Sequence, residues 1–166
     1  MATTMETTAT RVDDRPAVDW GLLALRVMLG LTFMLHGSQK MFGAFGGPGL
    51  ARMMGGPPHG MGPVLGLLVS VGEFFGGLGI LVGFLSRFSA ASLIVIMLGA
   101  IFMVHAKNGF FMNWGGKQLG EGFEYHLLVI GMALAILIAG PGAKTLGRLL
   151  PLPRRADMNR PLPVLE

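Results

Sequence analysis

The stretch WGLLALRVMLGLTFMLHGSQKMFGAFGGPG, Trp20 to Gly49, decides the fold. Its apolar part is close to the ~20 residues a helix needs to cross a bilayer. Yet it carries Arg26 inside it, and it ends in His36, Gln39 and Lys40 before a Gly/Pro loop. Ionisable groups at membrane depth are costly, so in a spanning helix they are the first candidates for a functional site.

Working outward, the same kind of segment recurs. Spans are expected at Trp20–Met41, Val64–Leu85, Phe88–Val104 and Tyr125–Gly140. The last two are slightly short, which implies little tilt or local thinning of the bilayer. Only Ser86 and Arg87 separate spans two and three, which predicts a tight antiparallel hairpin. Loop one, Phe42 to Pro63, is rich in Gly, Pro and Met. Loop three, His105 to Glu124, contains GFFMNWGGKQLGEGFE, with aromatics suited to the headgroup level. No alternating apolar and polar pattern of a β-barrel is present. The expected fold is all-α, an integral membrane four-helix transmembrane bundle.

Composition agrees. The 166 residues are 52% hydrophobic and 13% charged, with mean hydropathy +0.62. A soluble domain carries about twice that charged share. With no Cys, disulfides, thiolate metal sites and thiol catalysis are excluded. The formal charge of +4 comes largely from the C-terminal tail. Beside a membrane such a tail reflects topology and anionic lipid rather than nucleic acid.

Residues 1–19 read as a disordered cytoplasmic tail, 20–147 as the four-helix membrane domain, and 148–166 as a basic, Pro-containing cytoplasmic tail. The first residues lack the features of a cleaved signal peptide. Lys and Arg set orientation. Arg11, Arg15, Arg87, Lys144, Arg148, Arg154, Arg155 and Arg160 fall on the side of the termini, against Lys40, Arg52, Lys107 and Lys117 on the other. Both termini are therefore expected in the cytoplasm. A weak internal repeat pairs His36-Gly-Ser-Gln-Lys40 with His105-Ala-Lys107, each followed by a loop and a Glu, Glu73 or Glu124.

The candidate chemistry centres on span one and its partner. His36 and Lys40 are four residues apart and share a helix face, with Arg26 about 15 Å below His36 near the same stripe. Glu73 should lie about 8 Å above Arg26 and about 7 Å below His36. A carboxylate at that depth is protonated or paired, and Arg26 or His36 is the expected partner. A structural ion pair between the helices is the plain alternative. Arg26 alone would snorkel, and Lys40, Lys107 and Glu124 could be solvated helix-end charges. His36, His105 and His126 approach one level, where imidazoles could ligate metal or haem or polarise a quinone carbonyl, but no tight ligand motif supports a metal. His59 is expected to be exposed. Gly62/Gly66, Gly72/Gly76 and Gly79/Gly83 suit close helix packing. The thirteen Met read as gap-fillers rather than a copper site.

Together the motifs resemble the DoxX family. R-V-x-L-G from Arg26, H-G-S-Q-K from His36 and F-G-G-x-G from Phe45 are similar to its first helix and loop. The run from Gly72 to Arg87 is similar to its second helix. H-x-K-N-G-F-F from His105, Glu124-Tyr125 and Gly140-Pro141-Gly142 are similar to its later segments. The family's Ser and Asp after the final Gly-Pro-Gly are replaced here by Ala143-Lys144-Thr145-Leu146.

The resemblance implies a four-helix inner-membrane protein, with some relatives serving in thiosulfate:quinone oxidoreductase and others in redox-stress systems. It leads to the expectation of a membrane component of a quinone-linked redox system. Glu73 and His36 are the candidate catalytic residues. Arg26, His36, Lys40, His105 and Glu124 are the candidate cofactor-binding residues, with quinone as the cofactor and no metal. With no electron carrier of its own, the chain would need a protein partner or diffusible reductant. A homo-oligomer is also compatible. Two alternatives stand beside this reading: a non-catalytic anchor or assembly subunit, and a small-molecule transporter.

Overall fold

The computed structural model describes residues 15–56 and 60–146. The N-terminal tail up to residue 14, His59 and the tail from residue 147 lie outside the described residues. Helix α1 (Arg15–Phe42) begins five residues before Trp20, so Arg15 to Asp19 are helical rather than part of a disordered tail. Pro16 suits the first turn, where its missing N–H leaves no hydrogen bond unmade.

Loop one is more ordered than its composition suggested. It holds a 3₁₀ turn at Ala44–Gly46 and a short helix, α2 (Gly49–Met53), whose Met53 is buried. Helix α3 (Pro63–Val82) starts on a proline and stops at Gly83, which has φ +78°. The amides of Gly83 and Phe84 close that end on the carbonyls of Ile80 and Gly79. The connection is therefore 83–85, and Ser86 and Arg87 already belong to helix α4 (Ser86–Ala100). A π-helical turn at Ile101–His105 and a 3₁₀ turn at Ala106–Asn108 extend α4. Helix α5 (Glu124–Ala139) completes the order, and no strand occurs among the described residues.

Contacts fix the register of the helices. Gly30 meets Gly77 and Leu81 while Gly37 meets Phe74, so α1 and α3 run antiparallel. Gly79 faces Ser89, Gly76 faces Leu93 and Gly72 faces Ile96, so α3 and α4 do too. His105 lies against His126 and Arg87 against Ile138, which makes α4 and α5 antiparallel. The core between them is Leu29, Phe33, Ile80, Leu93, Met97, Val129 and Ile136, with Ala90 and Ala133. Three small-residue positions decide the approach of α1 to α3, Gly30 among them, where a Cβ would lie 2.7 Å from the Leu81 nitrogen. A Cβ on Gly77 would lie 2.4 Å from the Met34 nitrogen, and one on Gly37 would lie 2.2 Å from the Phe74 nitrogen. Of the spacings singled out in the sequence, Gly66 makes a comparable contact, with the Met53 carbonyl, whereas Gly76 has ordinary clearance.

The outside is as apolar as the inside. Met28, Phe75, Phe88, Val95, Phe102 and Ile138 are all exposed. So large an apolar surface belongs in lipid rather than water. Three segments, Arg15–Phe42, Pro63–Val82 and Ser86–Asn108, are long and apolar enough to cross a membrane. The fourth helix, α5, has 16 residues and a length of about 24 Å.

A buried ion pair beside two unpartnered polar groups

The charged residues of the bundle separate into two clusters. At one end, Arg26 is 1% exposed. Its Nε and Nη2 donate to the carbonyls of Ile80 and Leu81, each at 2.9 Å. Nη1 donates to Pro141 at 2.9 Å and Lys144 at 2.6 Å. A helix leaves its last four carbonyls unmatched at the negative end of its dipole, and Arg26 supplies both donors and charge there for α3. The chain after α5 is held alongside: Asp19 Oδ1 accepts the Ala143 amide at 2.6 Å, and Lys144 Nζ sits 3.9 Å above the Trp20 ring. Arg26 therefore neither snorkels nor partners Glu73, and its donors are committed to protein carbonyls rather than to a cofactor. It is a lock between α1, α3 and the segment following α5.

At the other end, Glu73 is paired with Lys40, whose Nζ donates to both carboxylate oxygens. The Glu73 side chain is 3% exposed and that of Lys40 is 25% exposed. The partner differs from the expected Arg26 or His36 because of helix register. Gly37 is the residue of α1 pressed onto α3, and at 100° per residue Lys40 lies about 60° from it but His36 about 100° away. The long Lys40 side chain can fold back across that angle. His36 cannot, and it stands exposed on α1 against Phe33, with ring centroids 6.5 Å apart. The structure thus removes His36 from the Glu73 site.

Helix α5 brings its first turn to the same cluster. Tyr125 comes within electrostatic reach of Glu73, and His126 within reach of Lys40 and His105. His126 is 7% exposed, and neither its Nδ1 nor the buried Tyr125 hydroxyl has a hydrogen-bond partner among the described residues. The Phe123 carbonyl, which accepts the Leu127 amide, is the backbone group nearest the His126 ring and has a second lone pair to offer it. Buried polar atoms without partners are uncommon, and they need an explanation in a ligand, a water or a proton.

The π-helical turn ends at His105 and sets its ring 4.2 Å from that of His126. Such turns concentrate at functional sites. His105 Nδ1 lies 2.8 Å from the Glu121 carbonyl, to which it donates. Glu121 Oε2 accepts the Asn113 amide and Glu124 Oε2 the Met112 amide, at 2.6 and 3.1 Å. Glu124 therefore pins the loop to the start of α5. No group of three His, Cys, Asp or Glu that could hold a metal occurs among the described residues.

Of the expected site residues, Glu73 and Lys40 come together, and His105 joins them through His126. Arg26, His36 and Glu124 do not. Tyr125 was not singled out in the sequence; its one signal there is the run Glu124-Tyr125-His126, three polar side chains opening an apolar helix. A separate apolar groove of about 500 Å³ between α3 and α4, lined by Phe75, Phe84 and Phe88 among others, contains none of these charges.

The DoxX family model matches residues 21–106. The chain is also 33% identical over 132 residues to the inner membrane protein YqjF of Escherichia coli, covering 80% of this chain and 93% of that protein. No solved structure matches.

Proposed function

The chain belongs to the DoxX family, and on that premise we propose that it is a bacterial inner-membrane component of a quinone-linked redox system. Four antiparallel crossings with both termini in the cytoplasm follow from the Lys and Arg distribution. The 83–85 turn is then cytoplasmic, and the loop 106–123 faces outward.

One observation carries the reading: among the described residues the buried Tyr125 Oη and His126 Nδ1 have no hydrogen-bond partner, and they lie within electrostatic reach of the Lys40–Glu73 pair. A quinone head group offers two carbonyl acceptors, and its reduction to quinol takes up two electrons and two protons. Tyr125 can donate to one carbonyl and His126 to the other, which satisfies both orphaned groups. Lys40 holds positive charge where negative charge would develop, and Glu73 fixes its position. Lys40 is a quarter exposed and sits in the last turn of α1. Electrons come from a partner protein or a diffusible reductant, because the sequence contains no Cys and no flavin or iron–sulfur motif.

Protein purified in nanodiscs should retain near-stoichiometric quinone on solvent extraction. Tyr125→Phe and His126→Gln should lose it while the bundle stays assembled. Quinone-free wild-type protein would overturn the reading. It would favour the anchor or assembly role, which has its own support in Lys40 satisfying both oxygens of Glu73 as a closed pair between α1 and α3. In that case Glu73→Gln should impair assembly.

A further inference from the structure

We propose that the apolar groove between α3 and α4 binds one acyl chain of a phospholipid, drawn from the leaflet that borders the 83–85 turn. The groove holds about 500 Å³. One end lies at Phe84, Leu85 and Phe88, beside the turn. The other lies at Val71 and Gly72, halfway along α3. From Val71 to Val82 the helix rises about 16 Å, and half of a hydrocarbon core of about 30 Å is about 15 Å. The groove therefore runs the depth of one leaflet, from the interface to the midplane.

The hollow exists because its facing walls are small, with Gly72, Gly76 and Gly79 on α3 and Ser89 and Ser92 on α4. Phe75, Phe84 and Phe88 line it while remaining more than half exposed, which makes them its rim. Among the described residues no charged side chain lines it, so it offers nothing to a head group and only apolar contact to a chain.

Size selects a single hydrocarbon chain. Spread over about 16 Å, the volume gives a mean cross-section of about 30 Å². A helix with its side chains is about 10–12 Å across and needs about 80–110 Å², so the helix of a second copy does not enter. A chain of methylenes, about 4 Å thick by carbon contact distances, does. A peptide segment would bring N–H and C=O groups that two serines cannot satisfy. The groove is also continuous with the surface that faces lipid, because both of its helices are long and apolar enough to cross a membrane and Val95 of α4 is exposed nearby. It shares no residue with Lys40, Glu73, Tyr125 or His126, so its failure and the failure of the quinone reading are separate results.

The test uses full-length protein in nanodiscs whose only added lipid is phosphatidylglycerol. Native mass spectrometry after transfer to mild detergent counts the lipid retained per protein. Wild type should keep one molecule. Ser92→Phe fills the groove from the α4 wall and should lower retention about tenfold or more, because the chain loses the burial of several methylenes. Val95→Phe, an equally bulky change on the same helix outside the groove, should leave retention unchanged. Phosphatidylglycerol carrying a diazirine at the end of one chain should crosslink wild-type protein mainly at residues 71–75, which decides the matter even where Ser92→Phe misfolds. No retained lipid, or equal retention in Ser92→Phe, overturns the site. So do crosslinks spread over α1 and α5, a lipid-free dimer that covers this face with a second copy, or a quinone retained in place of the phospholipid and lost in Ser92→Phe.

Discussion

Removing Lys40 should be far more damaging than removing Glu73, and removing both should be mild. The Glu73 side chain is 3% exposed and accepts from Lys40 through both oxygens. Lys40→Met leaves that carboxylate without a countercharge, which costs about 3–5 kcal/mol for a buried pair broken on one side. Glu73→Met instead strands an ammonium whose side chain is 25% exposed and can turn outward, so its cost should be about 1 kcal/mol. The double variant replaces a buried pair by two apolar side chains of similar length and should lie within about 1 kcal/mol of wild type. The coupling energy of the cycle is then at least about 3 kcal/mol. Reversible unfolding in mixed micelles gives all four stabilities in one assay. A coupling below about 0.5 kcal/mol would show that the two residues do not meet in the folded protein.

Two other outcomes follow from the same geometry. Arg26→Lys keeps the charge but not the planar fork that serves four carbonyls, so at least one buried acceptor loses its donor at a cost of about 1–3 kcal/mol; hydrogen exchange should also rise at Ala143, whose segment Arg26 anchors. Gly37→Ala puts a methyl 2.2 Å from the Phe74 nitrogen, and since backbone cannot yield as a side chain does it should cost about 1–3 kcal/mol or more. Gly21→Ala has nothing within 4 Å and should be neutral or stabilising by about 0.5–1 kcal/mol in the same unfolding assay.

Much of the architecture was legible in the chain. Apolar length is a local property, set by the need to satisfy every backbone group inside lipid, and it placed each long helix within a few residues of its observed position. The same reading marked Glu73 and Lys40 as charges needing an explanation. It missed that loop one folds into a short helix around Met53, because the packing that stabilises so short a segment comes from Gly66 across the chain.

What the sequence determined by itself is therefore an all-α membrane protein of the DoxX kind, and a small set of residues too costly to be idle. Which of them meet was decided only by the tertiary structure. Height along the axis put Glu73 between Arg26 and His36, but pairing depends on rotation and register. Those are fixed by backbone contacts at Gly30, Gly37 and Gly77 that no single helix contains. With Gly37 against Phe74, Lys40 starts about 4.5 Å farther along α1 and its flexible chain reaches back, while His36 is turned to the outside. Arg26 lands at the end of α3, where four carbonyls take four of its five N–H donors. A π-helical turn, invisible in periodicity, then joins His105 to His126 and gives the site its second half.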